Sequence, residues 1–257
     1  MPSLPHAESD LGDGAASRLE REHFDRVALE TGEFNPFSDS GWAALADEFG
    51  AAAPLGRRLE ILDVGCGTGE SRRIYRDRAL RYLGLDLAFG TVRVASRRFA
   101  DDRWLQADAG RLPFADLSQD IVAFSSVLHH LPSRKPALLE AMRVLRPHGL
   151  LFAFDPNLLH PPMALFRHPR SPLYLSAGVS PIEKPLLART LRRELRDLGY
   201  SDIRIHGRSG VAYRTVAPRL LDAALSAYNL ADSVLQASGL GRWLGSFLLT
   251  SARKPAG

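Results

Sequence analysis

The residues best suited to chemistry are a glycine-punctuated turn and three acids that follow one another along the middle of the chain. The run LDVGCGTGE, residues 62–70, holds Gly65, Gly67 and Gly69 between a strand-like apolar stretch and a helix-compatible one. Glycines there let the backbone turn tightly and approach a ligand that side chains would exclude, while a following helix start would offer free N–H groups. A dinucleotide fingerprint G-x-G-x-x-G needs glycine at position 70, where this chain has Glu70, whose carboxylate would repel a pyrophosphate. Nicotinamide and flavin dinucleotides are therefore disfavoured. Asp63 stands where it can meet an ammonium directly or through water, Asp86 in LGLDLA where it can accept both ribose hydroxyls, and Asp108 in QADAGRLPF where it can accept from an adenine amino group. Taken singly, each acid is equally explained as a helix cap. Together with the glycines, in this order, they point to a ligand with an amino-acid end, a nucleoside end and no phosphates.

These residues need a scaffold that sets them at one edge. Short apolar runs at Leu59–Val64, Tyr82–Leu85, Trp104–Ala107, Ile121–Ser125 and Leu150–Phe154 alternate with mostly helix-compatible segments. That alternation predicts a parallel sheet built from right-handed crossovers. Two further strands are expected near Ile203–His206 and at Ser246–Ser251, the last antiparallel at the sheet's end. Residues 1–17 read as a disordered tail, and 18–56 as a helical lid with helices over Arg18–Glu30 and Trp42–Phe49. The core is expected over 57–257, interrupted by a proline-rich apolar cap at 156–182 and an added helix over 215–238. Leu187, Leu191, Leu195 and Leu198 mark one face of a helix that stops at Gly199. In the added helix, Leu220, Leu221, Leu225, Tyr228, Val234 and Leu235 recur at helical intervals.

At this point the stretch from Leu59 to Asp155 resembles the class I S-adenosylmethionine-dependent methyltransferases, within the broad group that includes ubiquinone and menaquinone methyltransferases. Beside the glycine run, LGLDLA, ADAGRLPFADLSQDIVAFSSVLHHLP and VLRPHGLLFAFD look like that family's successive strand-end motifs. The resemblance implies a Rossmann-like, doubly wound α/β fold: a mostly parallel seven-stranded sheet with an antiparallel last strand, a helical lid and a cap insertion. It implies S-adenosyl-L-methionine as cofactor, with S-adenosyl-L-homocysteine as product. Asp63, Gly65 and Gly67 would hold the methionine part, Asp86 the ribose, and Asp108 with Ala109 the adenine, with Cys66, Gly69, Leu87 and Ser125 completing the pocket. The family's lid usually carries a Tyr-Asp pair where this chain has Thr31 and Gly32, which leaves Phe34 or Phe37 as the ring over the cofactor.

An activated sulfonium methyl needs mainly a nucleophile held in line, about 3 Å away. If that nucleophile is a hydroxyl, a base with a near-neutral pKa helps, and histidine is the first candidate. His129 and His130, after the fourth strand, are the candidate base or acceptor-orienting residues, against the reading that one packs while the other lines the site. Asp155 and Asn157 after the fifth strand would orient the acceptor, although Asp-Pro-Asn is also strong turn chemistry. His160, His168, Arg167 and Arg170 would meet an anionic acceptor or simply lie in solvent. Leu158, Leu159, Met163, Leu165, Phe166, Leu173 and Tyr174 of the cap would form an apolar wall. The expected function is methyl transfer to a small or medium organic acceptor, oxygen favoured over nitrogen or carbon, in biosynthesis of a natural product, quinone or glycan. Alternatives are an RNA methyltransferase or a non-catalytic binding domain of the same kind.

Composition narrows these further. The chain has 257 residues, 45% apolar and 24% charged, enough for one sizeable core and unlike a collagenous, coiled-coil or disordered chain. No apolar run approaches the roughly 18 residues of a membrane span, and the first residues are acidic and Gly/Ser-rich, so cytoplasm is the expected compartment. A net charge of +4 invites a nucleic-acid reading, but the arginines are scattered among acids, as in RLEREHFDR, where pairing on a solvated helix explains them. A small-molecule acceptor is the expected partner, and a monomer or homodimer the expected state. The single cysteine, Cys66, can build neither a disulfide nor a thiolate zinc site, and no metal is expected.

Overall fold

The computed structural model describes residues 13–54, 57–168, 170–172, 174, 180, 182–214 and 225–256. Helices α1 (Asp13–Thr31) and α2 (Asp39–Ala52) precede the first strand, β1 (Leu59–Val64). Residues 13–17, expected within the disordered tail, belong to α1, where Ala15 and Ala16 favour the helix; residues 1–12 lie outside the described residues. Ser38 caps α2, its Oγ accepting from the Gly41 N–H. The remaining strands are β2 (Ala79–Asp86), β3 (Arg103–Gln106), β4 (Gln119–Ser125), β5 (Leu145–Pro156), β6 (Ser201–Arg208) and β7 (Phe247–Arg253). Between and after them lie α3 (Arg72–Tyr75), α4 (Phe89–Arg98), α5 (Lys135–Val144), α6 (Pro161–Phe166), α7 (Ala188–Asp197), α8 (Leu225–Ala237) and α9 (Gly241–Leu244).

All seven strands form one sheet in the order β3-β2-β1-β4-β5-β7-β6, with the parallel half that the alternating runs predicted and the Rossmann-like arrangement that the resemblance implied. β1 to β5 pair in parallel, and β7 runs antiparallel to both β5 and β6. β7 is thus inside the sheet, not at its end as expected. The residues explain it: β7 is almost entirely buried, as a central strand must be, whereas β6 alternates exposed Asp202, Arg204 and His206 with half-buried neighbours, as an edge does.

Strand alternation divides the core into two layers. Leu62, Val64, Val122 and Phe124 face α5 and α7, meeting Leu138, Leu191 and Leu195. Leu59, Ile61, Ile121 and Phe152 face the other way, onto Trp42, Leu45 and Phe49 of α2 and Tyr75 of α3. Each such fully buried side chain contributes roughly 2 kcal/mol of apolar burial. The added helix behaves differently from its pattern. Leu220 and Leu221 lie outside the described residues, and α8 buries Asp232 while Leu230 and Val234 stay 66% and 60% exposed. Among the described residues, no helix is long and apolar enough to cross a membrane.

Candidate functional site

In an open parallel sheet, ligands meet the crevice beyond the carboxyl ends of the strands, and the turns after β1, β2, β3, β4 and β5 meet there. The turn after β1 is tight. Gly65, Gly67 and Gly69 all adopt positive φ, at 74°, 54° and 92°. A Cβ on Gly65 would fall 2.4 Å from Cβ of Val127, so only glycine lets the turn pass β4's exit. At Gly67 a Cβ would meet nothing within 4 Å, which leaves a bare backbone cradle. Gly69 faces away from that cradle, packed on the rings of Phe99 and Trp104. The expected helix start is a single turn, α3, whose Arg72, Arg73 and Ile74 N–H groups already donate to the carbonyls of Gly69, Glu70 and Ser71, so the cradle rather than this helix end is the candidate binding surface.

Asp63 is held differently from expectation. The period of two along β1 puts it on the face of Leu59 and Ile61, beneath α3, and it is fully buried. Ser71 Oγ and Tyr82 OH each donate to its Oδ2 at 2.6 Å, and Ser125 donates to its Oδ1. Burial pushes the carboxyl up to about 6 despite these donors. Asp63 therefore ties the glycine turn to β2 and β4 rather than meeting an ammonium directly. Ser125 belongs to the same buried network, bonded also to Tyr75 OH at 2.8 Å, and does not line the crevice. Cys66 is buried too, and that burial raises its thiol well above the ordinary range. Glu70 is also buried, ion-paired with Arg73 and Arg98, so its charge is neutralised away from the crevice.

Asp86 stays partly exposed at the end of β2. Its Oδ2 accepts from Gly67 N–H and its Oδ1 from Ala88 N–H, both at 2.9 Å, which braces the cradle against the next turn. Burial of its surroundings raises this carboxyl despite the two amides. A carboxylate offers about four lone-pair sites, so two amides leave room for ribose hydroxyls. Leu87 follows, half-buried, its carbonyl accepting from Gln106 Nε2. Asp108 is exposed and caps its own turn through Gly110 N–H at 2.8 Å, with Ala109 buried behind it. Of the two candidate rings, Phe37 is 5% exposed and packed against Trp42 and Phe247, whereas Phe34 is 53% exposed. Phe34 also docks on the glycine turn, its N–H donating to Thr68 Oγ1 at 2.9 Å. An open cradle, an amide-braced carboxylate and an exposed acid at the third strand fit the chemistry of S-adenosylmethionine.

Opposite the cradle, the turn after β4 brings His129 and His130 against Asp155 at the end of β5. His129 Nδ1 lies 2.8 Å from Asp155 Oδ1, which also accepts the His129 backbone N–H at 3.1 Å. The two imidazoles are 3.9 Å apart between centroids. His130 Nδ1 bonds Ser180 Oγ at 2.8 Å, and burial beside His129 lowers its basicity. Above them lies α1. Glu20 Oε1 accepts from Ile182 N–H at 3.0 Å, its Oε2 lies 3.4 Å from His130 Nδ1, and Phe24 meets the His130 ring edge-on. Asp25 Oδ1 accepts from Gly90 N–H at 2.6 Å at the start of α4. α1 thus roofs the crevice through carboxylates, with only Ala16, Glu20 and Ala28 buried along its length.

Two expected acceptor residues turn out to be supports. Asn157 is fully buried, its Nδ2 donating to the carbonyls of Trp243 and Gly245. His160 is buried between Leu244 O and Tyr228 OH. The cap does present apolar surface, with Leu159 and Leu165 exposed and no residue of α6 buried; Leu173 lies outside the described residues. His168 Nδ1 accepts from Arg170 N–H within the cap. Sequence reasoning missed Ser71, Tyr75 and Tyr82 around Asp63, and Glu20, Ser180 and Glu183 around the histidines. The strand alternation that buries Asp63 was a signal that could have called for hydroxyl partners; nothing in RLEREHFDR singled out Glu20.

Residues 62–153 match the methyltransferase domain family model. The chain is 36% identical over 148 residues to a demethylmenaquinone methyltransferase of Renibacterium salmoninarum, covering 56% of this chain and 60% of the relative. It is 36% identical over 126 residues to a malonyl-[acyl-carrier protein] O-methyltransferase of Serratia marcescens, covering 44% and 49%. The matched region thus spans about half the length of these relatives. In fold, it is similar to a methyltransferase solved with the Haloferax volcanii Trm112 methyltransferase activator, at TM-score 0.65 and 20% identity over 92% of this chain and 98% of that one. Residues 62–153 thus carry a methyltransferase domain, set in a seven-stranded sheet whose fold is similar to that of a solved methyltransferase.

Proposed function

We propose that the protein transfers a methyl group from S-adenosylmethionine to the oxygen of a small or medium organic acceptor held between the glycine cradle and the His129–Asp155 pair. The bound cofactor supplies an electrophilic methyl on a sulfonium. Gly65 and Gly67 hold its amino-acid end, Asp86 its ribose, Asp108 and Ala109 its adenine, and Phe34 shields it at the glycine turn. The observation that carries the oxygen reading is the 2.8 Å contact between His129 Nδ1 and Asp155 Oδ1. A carboxylate can only accept, so His129 donates from Nδ1 and keeps the Nε2 lone pair for the acceptor's hydroxyl proton. α1 and the apolar cap exclude water while the acceptor oxygen is aligned.

Calorimetric titration tests the cofactor, and labelled methyl transfer tests the base. S-adenosylhomocysteine binds the wild type, NADH does not, and Asp86→Ala weakens the former at least tenfold. Equal affinity in the variant, or NADH binding at the same site, overturns the assignment. With hydroxylated aromatic and quinol acceptors, His129→Ala loses turnover at least a hundredfold while S-adenosylhomocysteine affinity holds; unchanged turnover removes the base role.

A further inference from the structure

The geometry points to a second use for the histidine cluster: His129, His130 and Glu183 form a binding site for one divalent transition-metal ion of the zinc or cobalt type. One ligand atom from each lies within 4.8 Å of the other two. A tetrahedral zinc site with bonds near 2.1 Å separates its ligand atoms by roughly 3.3 Å, so small side-chain rotations close it. Two imidazoles and one carboxylate are a borderline-soft donor set that leaves a position open.

Three observations beyond the cluster support it. Each histidine is already engaged at Nδ1, His129 by Asp155 and His130 by Ser180, as outer partners fix metal-ligating imidazoles. No described residue hydrogen-bonds either Nε2. Charge is also unbalanced, since Glu20, Asp155 and Glu183 surround two imidazoles. Asp155 Oδ2 and Glu20 Oε2 are buried without a hydrogen-bond partner, a cost that a cation beside them relieves. Arg134, within electrostatic reach of Asp155, is held by Glu194 through two bonds of 2.6 and 2.7 Å. The segment that carries Glu183 is anchored in place, Lys184 N–H donating to His129 O at 3.0 Å.

If the transfer reading above holds, on which this consequence alone rests, a bound ion takes the Nε2 lone pair that would receive the acceptor's proton, and metal therefore inhibits O-methylation. The test is titration of untagged protein with Co2+, read by visible absorption, followed by displacement with Zn2+. One saturable equivalent is expected, weakened at least tenfold in Glu183→Gln and in His130→Ala, with S-adenosylhomocysteine affinity unchanged as the control for folding. Asp155→Asn is expected to weaken it roughly tenfold as an outer partner. Absence of a saturable equivalent, or equal affinity in wild type and both ligand variants, overturns the site. The two readings fail separately: cobalt binding without methyl transfer under any condition leaves the metal site standing, and transfer without cobalt binding leaves the transferase.

Discussion

Replacing Asp63 with asparagine is expected to erase a specific pH dependence of stability. The carboxyl is fully buried and raised from 3.8 to about 6, with burial the main cause. A shift of about two units corresponds to about 3 kcal/mol between the two protonation states. The sign follows from proton counting. Between pH 4 and 6 the folded chain keeps a proton that the unfolded chain has released, so stability falls as pH rises through that window and then levels off. The stabilisation is complete below the ordinary carboxylate range and lost by about pH 6 to 7. Asp63→Asn keeps the shape, and the hydroxyls of Ser71, Tyr82 and Ser125 can turn to suit an amide. Urea denaturation followed by tryptophan fluorescence, at half-unit steps from pH 4 to 7.5, isolates the effect as wild type minus variant. That difference should change by about 3 kcal/mol, or roughly 1 M in urea midpoint. Profiles that run parallel within about 1 kcal/mol, or a difference of opposite sign, would refute the account of Asp63 as a sealed, charge-strained anchor.

The glycine turn gives a paired prediction. Gly65→Ala combines a left-handed backbone with a Cβ 2.4 Å from Val127 and should destabilise by about 3 kcal/mol, seen as a fall in Tm of several degrees. Gly67→Ala faces open space and should cost only about 1 kcal/mol, yet weaken S-adenosylhomocysteine at least tenfold by calorimetry, since its methyl group enters the cradle. At the other end of the sheet, Lys254 Nζ donates to Met142 O at 2.7 Å and Leu145 O at 2.8 Å, closing the last carbonyls of α5. Lys254→Met should lower stability by about 1 kcal/mol in urea titration without altering ligand affinity.

Much of the frame can be read from the chain because strand runs and their crossovers are local patterns. LEILDV, YLGL, IVAFS and LLFAF each announce a buried strand, and the spacing between them leaves little but a parallel sheet. Position within the sheet is less local, yet the contrast between FLLTS and DIRIH already separates an interior strand from an edge. The His129–Asp155 contact joins residues 26 apart. It follows once β4 and β5 are neighbours in parallel, with Ser125 opposite Phe154, because their exits then lie side by side. The helical pattern of α8 misled because regular spacing of leucines says which face they share, not whether anything covers it. Glu20 was illegible for the opposite reason. A glutamate amid arginines on an amphipathic helix looks solvated, and only the docking of Ile182 and His130 beneath it makes it buried.

The place of β7 also sets an order of events in synthesis. Strands leave the ribosome in chain order, but here the seventh is the neighbour of the fifth, and the sixth touches the sheet only through it. Until residues 247–253 emerge, β5 offers a long apolar edge with unpaired amides and carbonyls, and β6 has no strand to join. Pairing across such sequence distance is slow and exposes a template for pairing with other chains. A nascent chain can thus lay down β1 to β5 with the glycine cradle and the histidines early, while the face beyond β5 closes only in the last act of folding.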